Sequence, residues 1–487
     1  MPAGTETSRA PLERPSGGGE RPAPLTPRER IELLCDPGSI RVIRSTVRSR
    51  RIGAPVRAGD GVVAASGKVG GRSLLCYAQD ARFAGGSLGE AHAETIIRVL
   101  SLARQARVPV VALVESAGAR VQEGTAALAG YGRIFSESIA LSGVVPQVSI
   151  ISGTSAGGAS YAPALTDFVV MTEEATMFLT GPGVVRDAIG EVVGARDLGG
   201  ARVHARNGVS QFLAPTDVAA IALVRDLLSY LPQNSREEPP AVPPEDPLPG
   251  NPGASIPRES RRVYDVRHVA RRVVDGGKLL EVAPRWARNL VTAFARIDGR
   301  SVGIVANQPR YLGGVLDAAA SEKGARFVRT CDEFGIPLVV LVDTPGFLPG
   351  SRQERQGVIR HGASLLHAFA GSRVPRVSVV LRQAFGGAYI TMNAKDLGAD
   401  FAFAWPRARI GIMAAPHAVA IIERRDIAAA EDPVARARVL GDLYAAEHQN
   451  AEAAARDGFI DEVIAPDETR DRLSAALTML EGKGRGS

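Results

Sequence analysis

Two periodicities alternate along this chain. From Glu90 to Gln105 apolar residues recur at three- and four-residue spacing, which predicts an amphipathic helix. A short Val/Ile/Leu run from Val108 follows and predicts a buried strand. The same order returns with Ala318–Phe334 as the helix and Ile336 as the start of the strand. Such alternation predicts α/β domains built on largely parallel, buried strands. Nearer the N-terminus, Thr26-Pro27-Arg28-Glu29-Arg30 predicts a helix start: threonine as N-cap, proline at the first helical position, glutamate three residues after the cap. That helix is expected to end near Pro37-Gly38.

The pattern is also written twice. Val108-Pro109-Val110-Val111 reads like Ile336-Pro337-Leu338-Val339, a displacement of 228 positions, and Gly85-Gly86-Ser87-Leu88 matches Gly313-Gly314-Val315-Leu316 at the same displacement. Val145-Pro146-Gln147-Val148 matches Val374-Pro375-Arg376-Val377, and Gly157-Gly158-Ala159 matches Gly386-Gly387-Ala388, both at 229. Four ordered matches predict two copies of one fold. We place an N-terminal domain at 25–238, a Pro-rich linker at 239–258 and a C-terminal domain at 259–487. Residues 1–24, rich in Pro, Gly and charge, read as a disordered tail.

Composition narrows the function. With 487 residues, 45% apolar and 23% charged, the chain has the make-up of a soluble globular protein of two domains. No apolar run is long enough to span a bilayer, and the N-terminus lacks the apolar core of a signal peptide, so the expected location is the cytoplasm. Three scattered cysteines and seven dispersed histidines suggest no metal site. The net charge of +6, with 5% aromatics, fits an anionic small molecule better than nucleic acid.

The candidate chemistry lies in the glycine pairs. Ser152-Gly153-Thr154-Ser155-Ala156-Gly157-Gly158 follows a buried strand and leads into a helix. Glycines let a substrate approach the backbone, and a helix start offers unpaired N–H groups, together a nest for a developing oxyanion. Ser155 lacks the setting of a nucleophile and is assigned to loop packing. Glu115 and Asp343 stand at equivalent strand ends, where carboxylates orient loops. Two oxyanion nests without an evident protein base point to a base brought by a substrate or cofactor.

Together these motifs resemble the carboxyltransferase β subunit of biotin-dependent acyl-CoA carboxylases. The matching stretches include Phe83-Ala84-Gly85-Gly86-Ser87-Leu88-Gly89-Glu90, Gly118-Ala119-Arg120-Val121-Gln122-Glu123-Gly124, Asp343-Thr344-Pro345-Gly346-Phe347-Leu348-Pro349-Gly350 and Ile359-Arg360-His361-Gly362-Ala363. The resemblance implies two tandem crotonase-like domains and transfer of carboxylate from carboxybiotin to the α-carbon of an acyl-CoA. It implies that Gly157 and Gly158 hold the thioester enolate oxygen, and that Gly387 and Ala388 hold the ureido oxygen of biotin. Gly118, Ala119, Arg120, Ala156 and Arg98 would contact acyl-CoA; Pro345, Gly346, Phe347, Gly386, Tyr389 and Ile390 would contact biotin. It further implies biotin on a separate carrier protein, a separate biotin carboxylase, and a homohexamer with sites between subunits.

Several positions depart from the family pattern. Glu115 and Ala117 replace Asp and Gly, Thr95 replaces a Lys while Arg98 keeps a second one basic, and Gln383 and Phe385 replace Lys and Tyr. Met413-Ala414-Ala415-Pro416-His417 loses two glycines and gains a proline and a histidine. We assign His417 a structural or incidental role. Alternatives with the same fold are a biotin-dependent malonyl-type CoA decarboxylase and a catalytically silent scaffold in a mixed complex.

Overall fold

The computed structural model describes residues 24–52, 56–259 and 262–483, so the tail expected at 1–24 lies, but for Pro24, outside the described residues. The first helix, Pro27–Leu34, starts as its sequence dictates. Thr26 Oγ1 accepts the Glu29 N–H, and the Glu29 carboxylate accepts the Thr26 N–H at 2.7 Å. Cys35 turns extended and ends it just ahead of Pro37-Gly38.

Among the described residues the strands form two eight-stranded sheets. The first holds β1 (Arg41–Ile43), β2 (Val62–Val69), β3 (Arg72–Gln79), β4 (Val110–Ser116), β5 (Gln147–Ala156), β6 (Phe168–Thr172), β7 (Thr176–Phe178) and β8 (Phe212–Ala214). Their order is β1-β2-β3-β4-β5-β6-β8, with β7 paired to the far end of β5. The second holds β9 (Leu280–Val282), β10 (Leu290–Ile297), β11 (Arg300–Asn307), β12 (Leu338–Thr344), β13 (Arg376–Phe385), β14 (Phe401–Ala404), β15 (Arg409–Gly411) and β16 (Glu462–Val463). It repeats the plan as β16-β14-β13-β12-β11-β10-β9, with β15 on the end of β13. β2, β3 and β4 recur as β10, β11 and β12 with unchanged lengths, and β5 recurs as β13.

The central strands are parallel and buried on both faces, as β4 and β12 show residue by residue. Helices Glu90–Ala106 and Ala318–Glu333 cover equivalent faces; the first buries Ile96, Val99, Leu100 and Ala103 at helical spacing. A single apolar cluster continues from one sheet into the other. Its aromatic centre is Phe294, with ring centroids 5.8 Å from Phe168, 6.2 Å from Tyr230 and 5.1 Å from Phe327.

The Pro-rich segment at 239–258 forms only the short turn Pro252–Ser255, yet it is not a free tether. The Val242 N–H donates to the Gly299 carbonyl at 3.0 Å, the Leu248 N–H to Arg271 at 3.2 Å, and Glu245 pairs with Lys278 at 2.7 Å. Prolines carry no N–H, so a strap rich in them lies on a domain with few donors left unmatched.

Lys323 occupies the seam between the two units beside Asp167 and Phe168. It is 3% exposed, and its Nζ donates to the carbonyls of Trp286 at 3.1 Å and Leu290 at 2.7 Å. Burial pulls its pKa from 10.5 down to about 7. The unfolded chain therefore holds the extra proton between those values, and this group's contribution to stability rises with pH across that window. The melting temperature of the wild type, relative to Lys323→Met, is expected to rise from pH 7 to pH 9. A difference that stays flat with pH would refute a neutral Lys323.

Candidate active site

The first nest forms where β5 ends. The chain turns at Gly157, whose φ of +59° suits glycine, and enters helix Gly158–Ala164. The Gly157 N–H donates to the Phe178 carbonyl at 3.0 Å, holding β7 to the turn. This corrects the expectation that Gly157 donates to a ligand. Gly158 is the first helical residue, so its N–H has no acceptor within the helix. A Cβ on Gly158 would lie 2.8 Å from the ring of buried Tyr131.

The loop after β4 closes the nest. The Leu88 N–H donates to the Gly118 carbonyl at 2.8 Å, and the Arg120 N–H donates to the Leu88 carbonyl at 2.9 Å. Ala119 lies between them, so its N–H faces away from Leu88, and among the described residues no acceptor takes it. Gly118 has a φ of +103°, and a Cβ there would stand 3.0 Å from the Ala156 carbonyl oxygen. The loop thus abuts the end of β5, and Ala119 and Gly158 border one site.

Arg120, expected to touch acyl-CoA, is instead an interior group. It is 1% exposed and pairs with Asp60 and Glu123, each at 2.8 Å. Arg98 stands exposed on helix Glu90–Ala106. Thr95, one turn before it, is buried, and its hydroxyl accepts from Arg44 Nε at 3.1 Å.

The second nest repeats the construction. The Leu316 N–H donates to the Gly346 carbonyl at 3.1 Å, and the Leu348 N–H to the Leu316 carbonyl at 2.7 Å. Phe347 therefore stands where Ala119 stands in the first copy, its N–H likewise without an acceptor among the described residues. Gly386 has a φ of +61°, and Gly387 is exposed. The Phe347 ring reaches to 3.9 Å from the Cβ position of Gly387. Ala388 is fully buried, whereas Gly387 beside it is exposed. Pro345 is exposed, Gly346 half-buried, and Ile390 is 48% exposed. Tyr389 is half-buried, and burial pushes its phenol up to about 12.

The carboxylates at the strand ends orient their surroundings. Asp343 is buried, accepts from the Tyr264 hydroxyl at 2.7 Å and from Arg382 Nε at 3.0 Å, and burial lifts its pKa to about 6. Glu115 accepts from Arg30 at 3.0 Å. Ser155 Oγ donates to the Ala159 carbonyl at 2.8 Å within the loop. His417 is exposed on helix Ala415–Ile422, and Pro416 sits in that helix's first turn, where its missing N–H costs no intrahelical bond.

The motifs place Ala119 in the expected acyl-CoA loop and Phe347 in the expected biotin loop without marking them as equivalent N–H donors. The signal was present: the displacement of 228 that aligns Leu88 with Leu316 also aligns these two residues.

A carboxyl transferase domain model matches residues 22–487. The carboxyltransferase subunit of propionyl-CoA carboxylase from Haloferax mediterranei is 47% identical, over 94% of this chain and 91% of that protein. The methylmalonyl-CoA carboxyltransferase 12S subunit of Propionibacterium freudenreichii subsp. shermanii is 46% identical, over 96% and 92%. The crystal structure of transcarboxylase 12S, a hexamer assembly with methylmalonyl-coenzyme A and methylmalonic acid bound, superposes with a TM-score of 0.92 at 45% identity, covering 94% of this chain and 90% of that one. With the family match spanning residues 22–487 and the fold superposing over 94% of the chain, the chain belongs to the carboxyl transferase family.

Proposed function

We propose that this chain moves carboxylate between carboxybiotin on a carrier protein and the α-carbon of a short acyl-CoA, propionyl-CoA being the first substrate to test. It is the carboxyltransferase subunit of an acyl-CoA carboxylase of the propionyl-CoA carboxylase and transcarboxylase type. The observation that carries this reading is the duplicated nest: Ala119 and Gly158 in one copy, Phe347 and Gly387 in the other.

In the first nest the N–H groups of Ala119 and Gly158 receive the thioester oxygen. They strengthen as that oxygen gains charge on loss of the α-proton, and each donor of this kind is worth about 3–4 kcal/mol of barrier. Arg98 stands exposed on the helix that leads away from the nest and is suited to the phosphates of CoA, whereas Arg44 is engaged with Thr95 and Glu94. The second nest fits a ureido oxygen: two N–H donors lie beside the apolar Phe347 ring and exposed Ile390. Biotin, when bound there, supplies the carboxylate and a nitrogen base. The chain's own residues hold and orient the two reactants.

Large apolar side chains stand exposed around both nests. Val121, Tyr161 and Leu179 are 86%, 51% and 54% exposed near the first, and Ile412 is 78% exposed near the second. Apolar exposure of this extent suits burial against another subunit, and the hexamer assembly of transcarboxylase 12S supports a homohexamer with sites completed between subunits as the arrangement here.

The test mixes purified protein with a carboxylated biotin carrier and propionyl-CoA. Methylmalonyl-CoA is the expected product. No carboxylated product from propionyl-, acetyl- or butyryl-CoA would overturn the reading.

A further inference from the structure

Arg120 lies in the loop that follows β4. It comes one residue after Ala119, yet its side chain points into the domain. Nη1 bonds both Asp60 and Glu123 at 2.8 Å, and Nη2 donates to the Ser87 carbonyl at 3.0 Å. The two carboxylates reach onward. Asp60 Oδ2 accepts the His92 N–H at 3.0 Å, and Glu123 Oε2 accepts the Glu90 N–H at 2.7 Å. Glu123 Oε1 also accepts from the Ser49 hydroxyl at 2.9 Å. Asp60 and Glu123 are themselves 1% and 6% exposed.

The surrounding backbone is shaped to admit this triad. Asp60 holds a φ of +49°, between Gly59 and Gly61 at +81° each. A non-glycine residue in the left-handed region costs energy, and such strain persists where neighbouring structure over-determines it. A Cβ on Gly89 would lie 2.4 Å from Arg120 Nη1 and 2.3 Å from Glu123 Oε1.

The second copy lacks the device. At the same displacement of 228, Arg120 becomes Leu348, Asp60 becomes Arg288 and Glu123 becomes Ser351. The bridging strand geometry around Leu316 and Phe347 is nonetheless kept. The fold therefore does not require the triad; only the first nest has it.

We propose that Arg120, locked by Asp60 and Glu123, is the positioning residue that fixes the Ala119 N–H for the developing oxyanion. Well-packed apolar residues replace a buried ion triad with no loss of stability in many proteins. They cannot supply directional bonds that join the Ala119 loop to Ser87, to the start of helix Glu90–Ala106 and to the Asp60 turn. The role rests on the carboxyltransferase reading only for its kinetic consequence.

The test compares wild type, Arg120→Lys and Glu123→Gln as full-length assembled protein, by amide exchange across residues 117–121 and by steady-state kinetics. Arg120→Lys keeps the charge and loses the fork. Exchange in that loop is expected to quicken at least tenfold while β4 and β5 stay protected, and kcat is expected to fall roughly 10²-fold with KM for acyl-CoA within about twofold. Glu123→Gln should move both readouts the same way by less, and it decides alone if Arg120→Lys does not fold. Unchanged exchange at 117–121 overturns the proposal, as does a raised KM with kcat intact, which would make Arg120 a substrate contact. If the wild type carboxylates no acyl-CoA, the functional reading fails, while the exchange measurement still decides the fixing of the loop.

Discussion

Gly158→Ala is expected to lower kcat for acyl-CoA carboxylation by about 10²- to 10³-fold, the loss typical of one oxyanion donor. The added methyl would stand 2.8–2.9 Å from three carbons of the Tyr131 ring. Tyr131 is 5% exposed and packed in the apolar core with only a small cavity beside it, so the start of helix Gly158–Ala164 is expected to move outward. The Gly158 N–H moves with it, away from the thioester oxygen that we propose it holds together with Ala119. KM should change by much less, because the contact proposed for the phosphates of CoA, at Arg98, lies outside the nest. Steady-state rates with carboxylated carrier and propionyl-CoA measure this, and a wild-type kcat would remove Gly158 from the donor pair. Gly387→Ala makes a useful contrast. Its nearest neighbour is a Phe347 ring carbon at 3.9 Å, ordinary contact, so its effect should be the smaller of the two.

Phe294→Ala should have the largest effect on stability, about 3–5 kcal/mol. The ring is fully buried and touches aromatic partners from both units: Phe168 and Tyr230 from the first, Phe327 from the second. Its removal opens a void lined by side chains already packed on their other faces, which leaves little room for collapse. Urea unfolding followed by far-UV circular dichroism measures the loss. A change below about 1 kcal/mol would mean that the seam repacks freely, contrary to interior close packing.

The elements with a strong repeating pattern were legible in the chain. The helix expected at Glu90–Gln105 spans Glu90–Ala106, and that expected at Ala318–Phe334 spans Ala318–Glu333. The strands expected from Val108 and Ile336 begin at Val110 and Leu338, since Pro109 and Pro337 donate nothing to a ladder. The two-copy plan held down to strand length. What the chain did not disclose was direction. Gly157 and Gly158 are alike as letters, but the N–H of one is taken by Phe178, distant in sequence, and the other heads a helix. Ala388 shares a motif with Gly387 and is buried by the helix turn that exposes its neighbour. Arg120 sits in a motif that resembles a binding loop, and its partners Asp60 and Ser87 are placed by other segments. The Pro-rich segment showed its lack of regular structure in its composition, but not its bonds to Gly299 and Arg271.

That strap and the seam beneath it bear on how the gene can be divided. The two units share one continuous core, so their association does not depend on the peptide that joins them. A break within the proline run would leave Phe294 seated against Phe168 and Tyr230. Each half would carry its own complete sheet and its own nest. The same catalyst is thus encodable as two polypeptides, separately translated and paired by surface recognition.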